Sequence, residues 1–286
     1  MQSSPVAIPM QDEQQRDDVS PVHAPRFRTR CFANADRWFN QTVRLFGAVH
    51  QGFWLGCLTA DDLNAITAHH FDKSQFYASA EHNLSGFFGW EKPLIECYFR
   101  PGSRTLVSAA GGGREVLALR KAGFDAEGFE CSQPLIDAAG KIAAQLGKAS
   151  HVSYCPPDSV PAGPRVYDGL VVGWTGYTHI PTRARRILFL QALRERALPT
   201  APVLLSFFTR SPRFLDDAVI HRTARFCRFF ARAQKEPLER GDRISYARYV
   251  HAFTRDEIEA ELRDAGFQLV EYGSGEDWGY AIGMSE

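Results

Sequence analysis

Gly111, Gly112 and Gly113 stand in a row where an apolar run, Thr105 to Ala110, gives way to a helical one beginning at Arg114. Adjacent glycines leave the main chain uncovered, so a ligand can lie directly against it. Glycine turns between a strand and a helix cradle nucleotide cofactors in this way. Seventeen residues after Gly113, a second short strand ends in the carboxylate of Glu130. The turn departs from both familiar phosphate signatures. With Gly111 and Gly113 as the first two glycines of G-x-G-x-x-G, the third position is Val116, whose β-branch works against close helix packing. A P-loop ends in Gly-Lys-Ser/Thr, and here Arg114 and Glu115 follow Gly113.

Side chains able to act on a substrate gather in two further stretches. GWTGYTHIP, after the fourth apolar strand, carries Trp174, Tyr177 and His179. The aromatic rings suit a binding wall, and His179 titrates in the range of a general base, or else begins the next helix and bonds only backbone. FYASAEHNLSGFFGWEKP offers Tyr77, His82, Asn83, Trp90 and Glu91, either as ligand contacts or as an aromatic hinge with His82 and Asn83 capping helices. Arg210 and His251 are expected at the same rim, meeting an acceptor carboxylate or sitting solvated. The run His221, Arg222, Arg225, Arg228 and Arg232 has helical spacing and reads as a solvated face opposite Val219, Ile220, Phe226 and Phe230. Cys31, Cys57, Cys97, Cys131, Cys155 and Cys227 are scattered without a C-x-x-C, so no metal site is expected.

The elements that must position these groups divide the chain into three. Residues 1–25, rich in Gln, Asp, Ser and Pro, read as a disordered tail. Residues 26–99 read as a helical cap contributing to the acceptor site, with Trp38, Phe39, Val43 and Phe46 on one side of a helix. From residue 100 to 286, strands alternate with helices, which implies a parallel sheet covered on both faces. Residues 212–250 interrupt that rhythm with a basic amphipathic helix and an extended stretch. Thr254 and Glu257 then form a capping box, and QLVEYG and WGYAIGM are joined too tightly to be parallel.

Composition narrows the function classes. Lys plus Arg and Asp plus Glu balance at 33 each, so charge offers no case for nucleic acid or an anionic membrane. No apolar run reaches the roughly 20 residues of a membrane span. The N-terminus lacks a secretory pattern, and the unpaired cysteines suit a reducing, cytoplasmic setting.

The stretch Val107-Ser108-Ala109-Ala110-Gly111-Gly112-Gly113 resembles motif I of class I S-adenosylmethionine-dependent methyltransferases, acid-x-Gly-x-Gly-x-Gly, with Val107 at the acidic position and Ala109 at the first glycine. Some small-molecule members also carry an apolar residue there, followed by residues like Gly113-Arg114-Glu115. The resemblance spans roughly Leu94 to Met284. It implies a Rossmann-like α/β fold: a seven-stranded, mostly parallel sheet with an antiparallel last strand and helices on both faces. It implies S-adenosylmethionine as cofactor, beside Ala109, Gly111 and Gly113, with Glu130 on the ribose hydroxyls. Phe129 or Cys131 would flank the adenine, Asp158 would lie near its amine, and Trp174 would wall cofactor or acceptor. The implied activity is in-line methyl transfer to an O, N or S nucleophile of a small molecule. His179, Tyr177 and His82 are the catalytic candidates, and Tyr77, Asn83, Trp90, Arg210 and His251 the acceptor-binding ones. GWTGY replaces the Asn/Asp-Pro-Pro-Tyr/Phe of base-amino methylation, which disfavours nucleic acid. A homodimer stays open. Two rivals remain, a nicotinamide-dependent oxidoreductase and a catalytically idle methyltransferase fold serving as a binding module.

Overall fold

A computed structural model describes residues 27–210, 216–231 and 237–285. The expected tail and parts of the 212–250 segment, Arg232 included, lie outside the described residues. The chain divides into two compact units, residues 1–44 and 45–286. The described part of the first unit is the N-terminal stretch of helix α1 (Phe27–Cys57), where Phe32, Trp38 and Phe39 are all exposed.

The second unit is built on seven strands in the order β3-β2-β1-β4-β5-β9-β8. β1 (Arg104–Ser108), β2 (Asp125–Glu130), β3 (Val152–Tyr154), β4 (Gly169–Val172) and β5 (Pro202–Phe208) are mutually parallel. β4 is buried along its whole length and β5 along nearly all of it, as strands covered on both faces must be. Three residues separate β8 (Phe267–Ser274) from β9 (Trp278–Ser285), too few for a crossover, so β9 runs antiparallel to both neighbours. Chain order reverses between β1 and β4, which opens a crevice at their carboxyl ends.

Helices cover both faces. α5 (Glu91–Tyr98) and α6 (Arg114–Lys121) supply Leu94, Ile95, Val116 and Leu119 to a cluster with Phe99, Val107 and Val171. α8 (Arg183–Arg194) and α10 (Arg255–Asp264) bring Phe189, Leu190, Ile258 and Leu262 to a second cluster with Leu170 and Leu205. α10 opens with the Thr254–Glu257 capping box, both reciprocal bonds being present. Two strand glycines admit bulky neighbours. A Cβ on Gly169 would lie 2.5 Å from the Phe99 ring, and one on Gly128 would lie 2.8 Å from both Val116 and Ala110. The room that a third glycine at position 116 would have made is therefore made across the interface, on β2, and the β-branched Val116 packs closely after all.

α2 (Ala60–Asp72), α3 (Gln75–Ala78) and α4 (Ala80–Leu84) belong to the same unit as the sheet. The interrupting segment contains α9 (Asp216–Ala231) and a hairpin of β6 (Asp242–Ser245) and β7 (Arg248–His251). Ile220, Ala224 and Tyr249 from this segment pack with Leu55 and Leu63. A further close approach lies here: a Cβ on Gly52 would lie 2.5 Å from the Ile220 carbonyl oxygen.

Candidate active site

At the end of β1 the chain turns sharply, with Ala109, Gly111 and Gly113 at φ 48°, 53° and 95°. Ala109 shows that an L-residue can hold the left-handed region here, at a strain of about 1 kcal/mol. Gly111 has nothing within 4 Å of where a side chain would stand, because that space is the crevice. Gly112 is confined instead: a Cβ there would collide with the Asn83 amide and the Tyr77 carbonyl oxygen. The turn is thus open to the crevice at one glycine and covered by α3 and α4 at the next.

Glu130 faces the turn. Its carboxylate accepts from the Gly111 amide at 2.9 Å and from the amides of Cys131 and Ser132 at 2.7 and 3.0 Å. A carboxylate offers about four acceptor sites, so three amides fix its position and leave capacity for a ligand hydroxyl. Ser108 lies on the crevice wall, 1% exposed, and its hydroxyl has no partner among the described residues. Val107, at the acidic position of the motif, points the other way into the core. The strand alternation thus puts a neutral hydroxyl at the crevice. Past Glu130 the wall turns apolar, with Phe129, Leu135, Cys155 and Pro156. Cys131 also lines the crevice, and burial first, then Glu130, push its thiol far up, so it stays protonated.

α2 roofs the crevice. Asn64, Thr67, Ala68 and Phe71, at helical spacing, turn one face toward it. The roof is tied down along its length. Asn64 donates to Asp158 at 2.5 Å, and Arg185 bridges Asp158 and Asp61 at 3.3 and 2.8 Å. Ser132 donates to Asp72 at 2.7 Å, and the Tyr249 amide donates to Thr67 at 3.0 Å. Burial raises the Asp158 carboxyl above its usual range against these bonds.

Beyond the glycine turn the wall becomes aromatic. Phe71 lies 5.5 Å from Tyr77 and 5.1 Å from His179, ring centre to ring centre, and all three line the crevice. Burial pushes the Tyr77 phenol up. His179 Nδ1 stands 2.8 Å from the Tyr249 carbonyl oxygen, which can only accept, so Nδ1 carries the proton and Nε2 is the lone-pair nitrogen. Burial, aided by the charges of Arg248 and His70, depresses His179 to about 4, against the backbone bond. Trp174 lines the same end, and its amide donates to Glu115 at 3.1 Å.

Glu115 belongs to a buried ion cluster that fastens the helical segment to the turn. Arg114, 1% exposed, reaches Glu91 through both terminal guanidinium nitrogens at 2.7 and 2.6 Å, Glu115 at 2.6 Å and the Gly86 carbonyl at 2.9 Å. Its guanidinium lies 3.7 Å above the Phe88 ring.

The crevice therefore brings together Tyr77, Ala109, Gly111, Phe129, Glu130, Cys131, Asp158, Trp174 and His179 of the residues singled out in the sequence. Gly113 sits just behind, as the left-handed residue that starts α6. Besides Glu91, which is spent in the ion cluster, six others go elsewhere. Tyr177 is fully buried, its hydroxyl donating to Glu261 at 2.6 Å beside Arg186, because the turn Gly176–His179 aims it at α10. His82 packs among Phe76, Tyr77 and Phe88, and burial lowers its pKa. Asn83 spends its amide on the Tyr77 and Ser79 carbonyls. Trp90 stacks on Tyr280 and touches Trp174 and Trp278. Arg210 is not among the residues lining the crevice and pairs with Glu257 at 2.7 Å, and His251, fully buried, pairs with Asp242 at 2.7 Å. His251, Asp242 and Glu239 are close enough to share a cation, but Arg186 lies 2.5 Å from Glu239 and supplies the positive charge. Ser108 and the α2 face were missed in the sequence. Ser108 was legible as the polar residue closing an apolar strand, and Asn64, Thr67, Ala68 and Phe71 as a helical stripe without a known partner.

No protein-family model matches the sequence, and no curated protein matches it. Solved structures do match in shape. A SAM-dependent methyltransferase from Methanosarcina mazei is 17% identical, with a TM-score of 0.55 over 70% of this chain and 98% of that one. The 1,6-didemethyltoxoflavin-N1-methyltransferase of Burkholderia thailandensis, solved with its namesake compound and S-adenosylhomocysteine bound, is 16% identical, with a TM-score of 0.57 over 80% and 91%. The CcbJ methyltransferase from Streptomyces caelestis is 14% identical, with a TM-score of 0.53 over 78% and 98%. At these identities the likeness is one of fold.

Proposed function

We propose that this chain, which has the class I methyltransferase fold, binds S-adenosylmethionine in the crevice and methylates an O, N or S nucleophile of a small molecule. The observation that carries the reading is Glu130, held by the Gly111 amide across a turn whose outer side is open. The donor set fits the cofactor. Glu130 has capacity for a ribose hydroxyl, and the partnerless Ser108 hydroxyl suits the polar amino-acid end. Phe129, Leu135 and Cys155 make an apolar bed for adenine. When bound, the cofactor supplies an electrophilic methyl group on a sulfonium. The residues of this chain align and shield: α2 excludes water, the Glu115 bond fixes the Trp174 backbone, and His179 offers a lone pair beside the aromatic wall. Alignment of this kind is worth on the order of 7 kcal/mol or more. Asp158 acts through the roof, as the anchor of Asn64, and not on the cofactor. The balanced charge favours a small-molecule acceptor over nucleic acid, and cysteines without paired spacing favour a cytoplasmic setting.

Calorimetric titration with S-adenosylmethionine, S-adenosylhomocysteine and NADH tests the reading, on the native protein and on Glu130→Ala. Micromolar binding of both adenosyl compounds is expected, weakened about tenfold to a hundredfold in the variant, as befits a lost charged hydrogen bond. Folded protein that binds neither compound refutes it, and NADH binding would favour the oxidoreductase.

A further inference from the structure

Resting on that reading, we infer that the crevice end walled by Phe71, Tyr77, Trp174 and His179 takes an uncharged, flat ring compound, whose acidic ring O–H or N–H donates to Nε2 of His179 and is the methylated group.

Three observations carry this. The first is shape and surface: Phe71 meets His179 edge-on and tilts against Tyr77, so three rings border one space, with Trp174 on the same wall. Such walls favour planar ligands through stacked and edge contacts.

The second is the charge inventory. Among the described residues no Lys or Arg lines this crevice. Arg114 is sealed by Glu91 and Glu115, and Arg185 by Asp158 and Asp61. Arg248 stands behind the wall, 6.0 Å over Phe71 and 3.4 Å from His70. A carboxylate or phosphate on the acceptor would meet no cation among the lining residues, the charge of Arg248 reaching it only from behind Phe71 and His179, so burying it in this apolar space is costly.

The third is the fixed tautomer. Tyr249 is fully buried and held at three points: its carbonyl accepts from His179, its amide bonds Thr67, and its hydroxyl donates to Asp242 at 2.6 Å. His179 cannot easily rotate away, so Nε2 accepts and does not donate. The groups that bear on it are Arg248 and His70 by charge, with Phe71 in contact. Because these surroundings make imidazolium unfavourable, His179 takes a proton only from an acidic partner. Phenols, hydroxypyridines and lactams qualify, and aliphatic alcohols do not. In the step, the ring O or N forms its bond to the methyl carbon while the sulfonium's S–CH3 bond breaks, its electron pair staying on sulfur. The proton passes from the nucleophile to Nε2 and then to water.

The test is binding to protein saturated with S-adenosylhomocysteine, read by ligand-observed NMR and calorimetry. Three probes share one benzene ring, 4-hydroxybenzamide, its anionic analogue 4-hydroxybenzoate and its O-methylated analogue 4-methoxybenzamide, and the fourth is the saturated, non-planar amine cyclohexylamine. The neutral phenol is expected to bind at least about tenfold tighter than the carboxylate and the amine. His179→Phe, which keeps a ring in the wall, is expected to weaken the phenol about tenfold and the methoxy compound hardly at all. Equal or tighter binding of the carboxylate, equal losses for phenol and methoxy compound, or no binding of any neutral probe each overturns the inference. Protein that fails to take up S-adenosylhomocysteine overturns the methyltransferase reading instead.

Discussion

Arg114 is where the helical segment, the glycine turn and the crevice wall depend on one charge. Its guanidinium serves two carboxylates, Glu91 at 4% exposure and Glu115 at 6%. Arg114→Met keeps roughly the length and apolar volume of the stem but removes that charge. Two buried carboxylates are then left without a cation, a situation that costs about 3–5 kcal/mol. The Gly86 carbonyl also loses its donor. Burial already raises the Glu91 carboxyl in the native protein, against Arg114, so removing the arginine raises it further. A carboxyl raised in the folded state binds its proton more readily folded than unfolded. Its penalty is therefore present at neutral pH and relieved as pH falls through the raised value. Urea unfolding at about pH 7.5 should show the full loss, and at about pH 5.5 a clearly smaller one. Adding Glu91→Leu should return part of the stability at the higher pH, since one orphaned charge goes. Because Glu115 also holds the Trp174 amide, cofactor affinity should fall in the single variant even where it remains folded. A loss below about 1 kcal/mol, or one that grows on acidification, would show that the cluster is solvated and the reasoning wrong.

Three further outcomes are expected. Gly111→Ala places a methyl group in the crevice at φ 53°, a backbone that Ala109 already tolerates at φ 48°, so stability should fall by only about 1–2 kcal/mol while titration shows S-adenosylhomocysteine binding weakened at least about tenfold. Gly128→Ala, whose Cβ would stand 2.8 Å from Val116, should lose about 1–3 kcal/mol in chemical denaturation, with Val116→Ala in the same chain recovering part of it. His179, depressed from 6.5 to about 4, takes up its proton more readily unfolded, so it contributes stability above pH 6.5 that is lost progressively on acidification toward 4. Melting curves of His179→Phe should show a shallower acid slope over that window, and an unchanged slope would exclude His179 as its source.

Much of the frame was legible in the chain itself. Glycines at 111 and 113 announce a turn because few other residues hold positive φ. Thr254 and Glu257 announce a helix start through two bonds made within four residues. The short link from Ser274 to Trp278 leaves an antiparallel pair as the one geometry it allows. These are local constraints, and local constraints are carried by neighbours in sequence. The destinations of polar side chains are not. Tyr177 and His179 are two residues apart on one turn, yet the first donates to Glu261 in the core and the second lines the crevice, a choice made by α10 and β7. His251 and Arg210 had the chemistry of ligand-binding groups and found Asp242 and Glu257 instead. Val116 packs closely although it is β-branched, because the glycine that makes room for it stands on a different strand. Sequence alone determined the order and kind of the elements and the place of the glycine turn. Which charges are spent on one another, and so which few groups are left to face a ligand, was decided only when distant segments packed, since a buried charge or hydroxyl takes whatever partner the tertiary fold brings within reach.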